Sequence, residues 1–204
     1  MRFNLDKDTK VLQINFISLS TIQVITYILP LITIPYLTRA LSLEGYGLYV
    51  LVLAMLAFLD IFISYGFKIS ATDEIAKNSN NINYISKVFY EVLFSKILIS
   101  VFIVFIVIIS SFFLPTLMQN KNLILLGLPF LIGNIIFPIW LFQGLQSMKY
   151  VVIAHLIGKV FFIAMIFSFV KDQSHLGLAV FFYSMSFSIT GFLSFYMAHR
   201  VYNL

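Results

Sequence analysis

The stretch Pro30-Leu-Ile-Thr-Ile-Pro35-Tyr-Leu-Thr-Arg39 decides how this chain folds. It closes a long apolar run with two prolines and a fixed positive charge. A proline within a helix removes one backbone donor and clashes with the carbonyl one turn back. In hydrocarbon such a defect survives only where protein or a water-filled cavity satisfies the freed groups. The stretch therefore reads as the end of a membrane helix that faces other helices and can bend, with Pro30 and Pro35 as hinge candidates.

Composition extends this reading to the whole chain. Of 204 residues, 61% are hydrophobic and 10% charged, against roughly 25% charged in an ordinary soluble domain. Mean hydropathy is +1.00. A water-soluble core of this size would need more polar surface than these residues supply. The lack of cysteine excludes a disulfide framework and thiolate metal sites. The net charge of +5 comes from basic residues scattered singly between apolar runs, which fits membrane topology and not nucleic-acid binding. The apolar run after Lys10 is too long for a signal-peptide core and lacks a small-residue cleavage site, so a cleavable signal is not expected.

Six stretches reach the roughly 20 residues needed to span hydrocarbon. They lie at about 11–38, 46–66, 86–114, 123–142, 151–170 and 176–198. The expected fold is an all-α polytopic membrane protein of six transmembrane helices filling residues 1–204. The longest connection is the polar segment from Lys68 to Asn83. Threaded alternately, one side holds Arg2, Lys7, Lys10, Lys68, Lys77, Lys87, Lys149 and Arg200, and the other Arg39, Lys121 and Lys171. This bias places both termini in the cytoplasm.

The first helix carries Gln13, Ser20, Gln23 and Tyr27 on one stripe, expected to point into the bundle because glutamines facing lipid are costly. Interhelical hydrogen bonding and cavity lining are both open readings of that stripe. The second helix is expected to begin at the turn Glu44-Gly45-Tyr46-Gly47, with Tyr46 and Tyr49 in the interfacial belt. Counting rise per residue, Asp60, Lys96 and Lys159 lie roughly 10–14 Å inside one boundary. Glu91 is shallower, and His155 precedes Lys159 by one turn. Charges at that depth should face one another or water. Asp60 with Lys96 or Lys159 could equally be a structural pair, Glu91 a partner of Lys87, and His155 a packed group. With both carboxylates and both amines ionised, the layer sums to zero. The fourth helix holds Pro129 and Pro138, candidate hinges or static kinks, followed by Trp140 and Phe142 as expected interface anchors. Ser186, Thr190, Gly191 and Ser194 on the sixth read as close helix packing. No nucleophile–base pair, metal-ligand set or phosphate loop appears, which argues against an enzyme and gives no reason to expect a cofactor.

The segment from Leu29 to Leu41, then Tyr46-Gly47-Leu48, then Asp60 and Tyr65-Gly66-Phe67, then Trp140 to Tyr150, strongly resembles the O-antigen repeat-unit flippases. These belong to the multidrug/oligosaccharidyl-lipid/polysaccharide exporter superfamily. The similarity runs from about Asn15 to Leu204. Ser42 stands where that family usually has glycine, which is expected to stiffen the outer turn. Gln146 stands where it usually has glutamate, which removes a charge. The resemblance implies transport of undecaprenyl-diphosphate-linked sugar repeat units across the bacterial inner membrane, by about twelve helices in two six-helix lobes. This chain would be the N-terminal lobe, needing a second lobe in cis or in trans. On that reading Arg39, Lys96, Lys159 and Gln23 would meet the anionic substrate, and Asp60 or Glu91 would couple to a proton or cation. Two rival expectations are a drug or peptidoglycan-precursor exporter of the same superfamily, and a truncated non-transporting remnant or assembly subunit.

Overall fold

The structure, a computed structural model, describes residues 5–111 and 119–203. The end of the third expected span, 112–114, and Arg2 lie outside the described residues. Among the described residues every regular element is helical. The elements are α1 (Leu5–Ser64), α2 (Phe67–Lys77), α3 (Ile82–Ser111), α4 (Lys121–Ile136), α5 (Ile139–Gly144), α6 (Lys149–Phe169) and α7 (Leu176–Tyr202), with a short 3₁₀ turn at Gln173–His175 before α7. Five helical stretches are long and apolar enough to cross a membrane, with α4 and α5 together making one of them. The chain is a multi-pass membrane protein.

The first of those stretches, Gln13–Ser64, runs for 52 residues. At 1.5 Å per residue this is about 78 Å, more than twice the hydrocarbon thickness, so it must turn back. It does so at Ser42, whose φ of 64° and ψ of 167° interrupt the helix. The first limb, around Thr26 to Leu37, and the second, around Tyr46 to Ala57, then line one cleft. The expected glycine turn at Glu44–Gly47 is therefore helical, and the reversal falls on Ser42. Its φ and ψ lie in a region that glycine occupies and a side chain resists. What Ser42 offers in return is a weak helix-start contact: its Oγ accepts from the Gly45 N–H at 3.4 Å. Gly45 itself is buried against Leu41 and Gln173.

The first limb leans on its threonines. Thr21, Thr26, Thr33 and Thr38 each donate to the carbonyl four residues back, at 2.7–3.1 Å. Such back-bonding bends helices, and here it brackets Pro30 and Pro35. The polar segment expected as a connection is mostly helix α2, which buries Ala71 and Ile75 and leaves Lys68 and Ile69 exposed. It starts after Gly66, in the left-handed region at φ 77°.

Two apolar cores hold the bundle. One joins Leu37, Leu41, Val52 and Leu56 of α1 to Phe130, Phe162, Ile166 and Val180. The other lies at the end where Asn15 and Tyr202 line one pocket and gathers Ile75, Phe89, Trp140, Phe142 and Val151. Trp140 and Phe142 are thus core residues and not interface anchors: Trp140 lies 5.7 Å from the Phe89 ring, Phe142 5.8 Å from Tyr150. At this end Asn15 clips the turn between α5 and α6. Its amide donates to Gln146 O at 2.9 Å and its carbonyl accepts from Met148 N at 3.1 Å. At the opposite end Tyr36 donates to Val170 O at 2.7 Å. There Asp172 caps the 3₁₀ turn by accepting from the Ser174 N–H at 2.9 Å and from its hydroxyl, bonds that hold its carboxyl below the ordinary carboxylate range.

Helices α4 and α7 pack most closely. A Cβ built on Gly133 would fall 2.3–2.5 Å from the backbone of Phe187 and Ser188, and one on Gly191 would fall 2.3 Å from Gly133 O. Ser188 adds a hydrogen bond to Pro129 O at 2.5 Å. Ser186, Thr190 and Ser194 are buried alongside. The small residues of the last span do serve close packing.

Three substitutions test these backbones. Gly133→Ala should cost about 1–3 kcal/mol by overpacking, because backbone atoms cannot step aside. Gly47→Ala, with nothing within 4 Å of its Cβ position, should be neutral or slightly stabilising. Equal thermal midpoints for both variants in detergent would contradict the backbone contact. Ser42→Gly should gain about 1 kcal/mol, the relieved strain outweighing a weak cap. A lowered midpoint would mean the hydroxyl matters more than the φ angle.

Candidate functional site

The two limbs of α1 open onto a cleft of about 450 Å³, bounded by Thr26, Pro30, Thr33, Tyr49, Lys159 and Tyr183. Pro30 and the threonine back-bonds shape the first wall, the Ser42 reversal brings up the second, and α6 with α7 supply the floor. Lys159 is the cation here. Its ammonium lies 5.0 Å from the Phe187 ring centre and 5.7 Å from that of Tyr183. Rings at these distances attract a cation through their negative faces, by about 0.5–2 kcal/mol. Among the described residues no carboxylate lies within 4 Å of it. A cation held by ring faces has no countercharge beside it, unlike one in an ion pair. Tyr49, expected at the interface, is buried instead, edge-on to Tyr183 at 6.2 Å.

A second, smaller cavity of about 200 Å³ contains Asp60, Ser64, Lys68, Lys96, Asn134 and Trp140. Asp60 and Lys96 do share this space, yet their charged atoms do not come within 4 Å of each other. Lys96 donates to the backbone carbonyl of Asn134 at 2.7 Å, and Asp60 Oδ1 has no partner. Lys159 belongs to the other cleft, so the single layer of charge expected at one depth divides in two. Depth follows from counting residues; the direction in which a side chain leaves the helix depends on neighbours, and α3 and α6 turn theirs to different spaces.

The remaining candidates are placed as follows. Glu91 is exposed and lies 3.8 Å from Lys87, the neighbour one turn away. His155 packs edge-on against Phe137 at 5.2 Å. Arg39 is exposed near the Ser42 end. Gln23 is also exposed, with Gln13 and Tyr27, so the polar stripe of the first limb turns outward and not into the bundle. The inward face is taken by Ser18, Leu29, Thr33, Leu37 and Leu41. Gln23 stands about one turn before Thr26 on the first limb and is not among the residues that line the cleft. Pro129 is inside α4, while Pro138 stands in the break between α4 and α5 and not within a continuous helix. Tyr183, Phe187 and Asn134 were not singled out from the sequence, where nothing marks an aromatic or asparagine of an apolar run as the neighbour of a given lysine. A third groove, of about 510 Å³, lies between the second limb and α3 and is lined by side chains such as Phe58, Phe62, Phe102 and Ile106, with no charged group.

The polysaccharide biosynthesis protein family matches residues 12–203, and the chain belongs to that family. A relative from Escherichia coli (strain K12) is 32% identical over 180 residues, which cover 88% of this chain and 43% of the relative. One from Shigella dysenteriae is 28% identical over 186 residues, covering 91% of this chain and 46% of the relative. Both bear the name "Putative O-antigen transporter". The chain spans less than half the length of these curated relatives. No solved structure matches it.

Replacing Lys159 by Met keeps the side-chain length and removes the charge. The thermal midpoint in detergent should rise by about 2–4 °C, because an unpaired, half-buried cation carries a desolvation cost. A fall in midpoint would show that the ring contacts hold the helices together more than the charge loosens them.

Proposed function

We propose that this member of the polysaccharide biosynthesis protein family is one six-helix lobe of a transporter that moves undecaprenyl-diphosphate-linked oligosaccharide across the bacterial inner membrane. The observation that carries the reading is Lys159, a cation at membrane depth held by aromatic faces in an open cleft. A diphosphate is costly to bring into low dielectric alone and far cheaper beside a fixed positive charge. The family and the names of both relatives support polysaccharide as the cargo class.

In this reading the ammonium of Lys159 binds the diphosphate. Gln23 and Arg39, on the outward face of the first limb, extend the polar wall towards the sugars. A second six-helix lobe, in cis or in trans, closes that face, giving about twelve helices in all. Both termini lie in the cytoplasm, as the distribution of lysine and arginine supports. Alternating access bends the first limb at Pro30 and Pro35 and the fourth span at Pro129 and Pro138. Asp60, with an oxygen free to take a proton or cation, is the coupling group. Glu91, paired on the surface with Lys87, is a weaker candidate for that role.

A second reading keeps the fold and changes the cargo. The unpartnered oxygen of Asp60 would suit a cationic drug, with the smaller cavity as its site. The two readings part in one experiment. Cells lacking their own flippase are complemented with the whole gene carrying Lys159→Met, Lys159→Arg or Asp60→Asn. Loss of a charge-assisted contact worth about 1.5–3 kcal/mol should cut surface polysaccharide roughly tenfold or more in Lys159→Met, with Lys159→Arg retaining most of it. Normal polysaccharide from Lys159→Met removes the lysine from the site. Asp60-dependent efflux of a cationic dye, with polysaccharide unchanged throughout, would favour the drug exporter.

A further inference from the structure

Pro138 has no amide hydrogen. In an unbroken helix, residue 138 would donate to the carbonyl of residue 134. That carbonyl instead accepts from the ammonium of Lys96, which reaches across from α3 at 2.7 Å and is only 5% exposed. The ladder is intact up to this point, since Phe137 N donates to Gly133 O at 3.0 Å. Phe137 then takes φ −70° and ψ 107°, the extended backbone favoured before proline, and α5 restarts after Pro138. Pro30, Pro35 and Pro129 free the corresponding carbonyls of Thr26, Leu31 and Leu125. Among the described residues no side-chain donor reaches those three, so the pairing at Asn134 is particular to this break.

We infer that Lys96 is a positioning residue whose ammonium replaces the hydrogen missing from Pro138, capping the broken end of α4 and fixing it to α3. An uncapped carbonyl in hydrocarbon has no water to turn to. The lysine would otherwise be a poor choice for this depth, since it has no carboxylate within 4 Å among the described residues and is almost fully buried. The inference goes beyond the proposed transport reading and departs from the sequence-based expectation that Lys96 meets the substrate. Lys96 is committed to the backbone and not to cargo, and bending at Pro138 requires its ammonium to leave Asn134. The helices α3 and α4 therefore move as one piece until that contact breaks.

A double-mutant cycle on the whole-gene protein tests this, with thermal midpoint and surface polysaccharide as readouts. Lys96→Met should lower the midpoint by about 3–10 °C by stranding a buried acceptor. Pro138→Ala or Pro138→Gly restores an amide hydrogen at 138, and on either background Lys96→Met should lose less than about a third as much. Export lost in Lys96→Met should return in the double variant. An equal loss on both backgrounds, or no loss in Lys96→Met alone, overturns the cap. Export that stays lost in a double variant of restored midpoint makes Lys96 a cargo ligand and also overturns it. Should neither proline variant accumulate, hydrogen exchange in Lys96→Met decides. Amides near residues 134–139 should exchange roughly tenfold faster while α7 is unchanged, and a uniform rise or no change refutes the assignment. Failure here leaves the Lys159 reading standing, since that is judged on Lys159 variants alone.

Discussion

Inside hydrocarbon every backbone donor and acceptor must find its partner within the protein. This chain strains that constraint repeatedly, with four prolines among the described residues and a helix reversal on a serine. Several of its polar side chains turn to backbone carbonyls, one of them a carbonyl that a proline leaves open. Thr33, Thr38 and Ser188 add hydrogen bonds to carbonyls beside the prolines, those of Leu29, Ile34 and Pro129, while Lys96 takes the one that Pro138 leaves open. Even Tyr36 uses its hydroxyl on a helix-terminal carbonyl, that of Val170. Much of the polarity in so apolar a sequence is therefore turned to backbone carbonyls, and only the remainder is free for other partners.

The lysines show how that remainder can be recognised. Lys96 and Lys159 fall at similar depth by residue count, and Lys96 is buried while Lys159 is half-buried. One is matched to an oxygen; the other rests against two aromatic rings, which attract it without neutralising it. A cation whose partner is a lone pair has little left to offer a phosphate. One held by ring faces can add an anion on its open side. The same reasoning sets Glu91, paired on the surface, apart from Asp60, which keeps an unpartnered oxygen.

The bundle combines a rigid wall with a looser one. Between α4 and α7 two glycines bring backbones to contact, leaving no slack for sliding. Opposite stands the α1 hairpin, built on prolines, back-bonded threonines and a strained serine, with a cleft between its limbs. Motion in such a lobe would concentrate in α1 and at the Pro138 break, where a single ammonium bridges two helices.

Helix content, membrane residence and the number of long apolar runs were legible in the residues, because hydrocarbon thickness and backbone satisfaction leave few alternatives. So was the packing role of Ser186, Thr190, Gly191 and Ser194, whose spacing places them on one face. The pairing of Glu91 with Lys87 was also within reach, since partners one helical turn apart need no tertiary information. What one-dimensional reading could not supply was azimuth. Residue counting put Asp60, Lys96 and Lys159 at one height, but only packing turned Lys159 towards the α1 cleft and Lys96 towards Asn134. It likewise buried Trp140 and Phe142 and turned Gln23 outward. Composition and periodicity thus determined that this is a multi-pass bundle of long apolar helices with charged residues inside its apolar runs. Which charge is free was decided by tertiary structure, because freedom depends on partners contributed by helices distant in sequence.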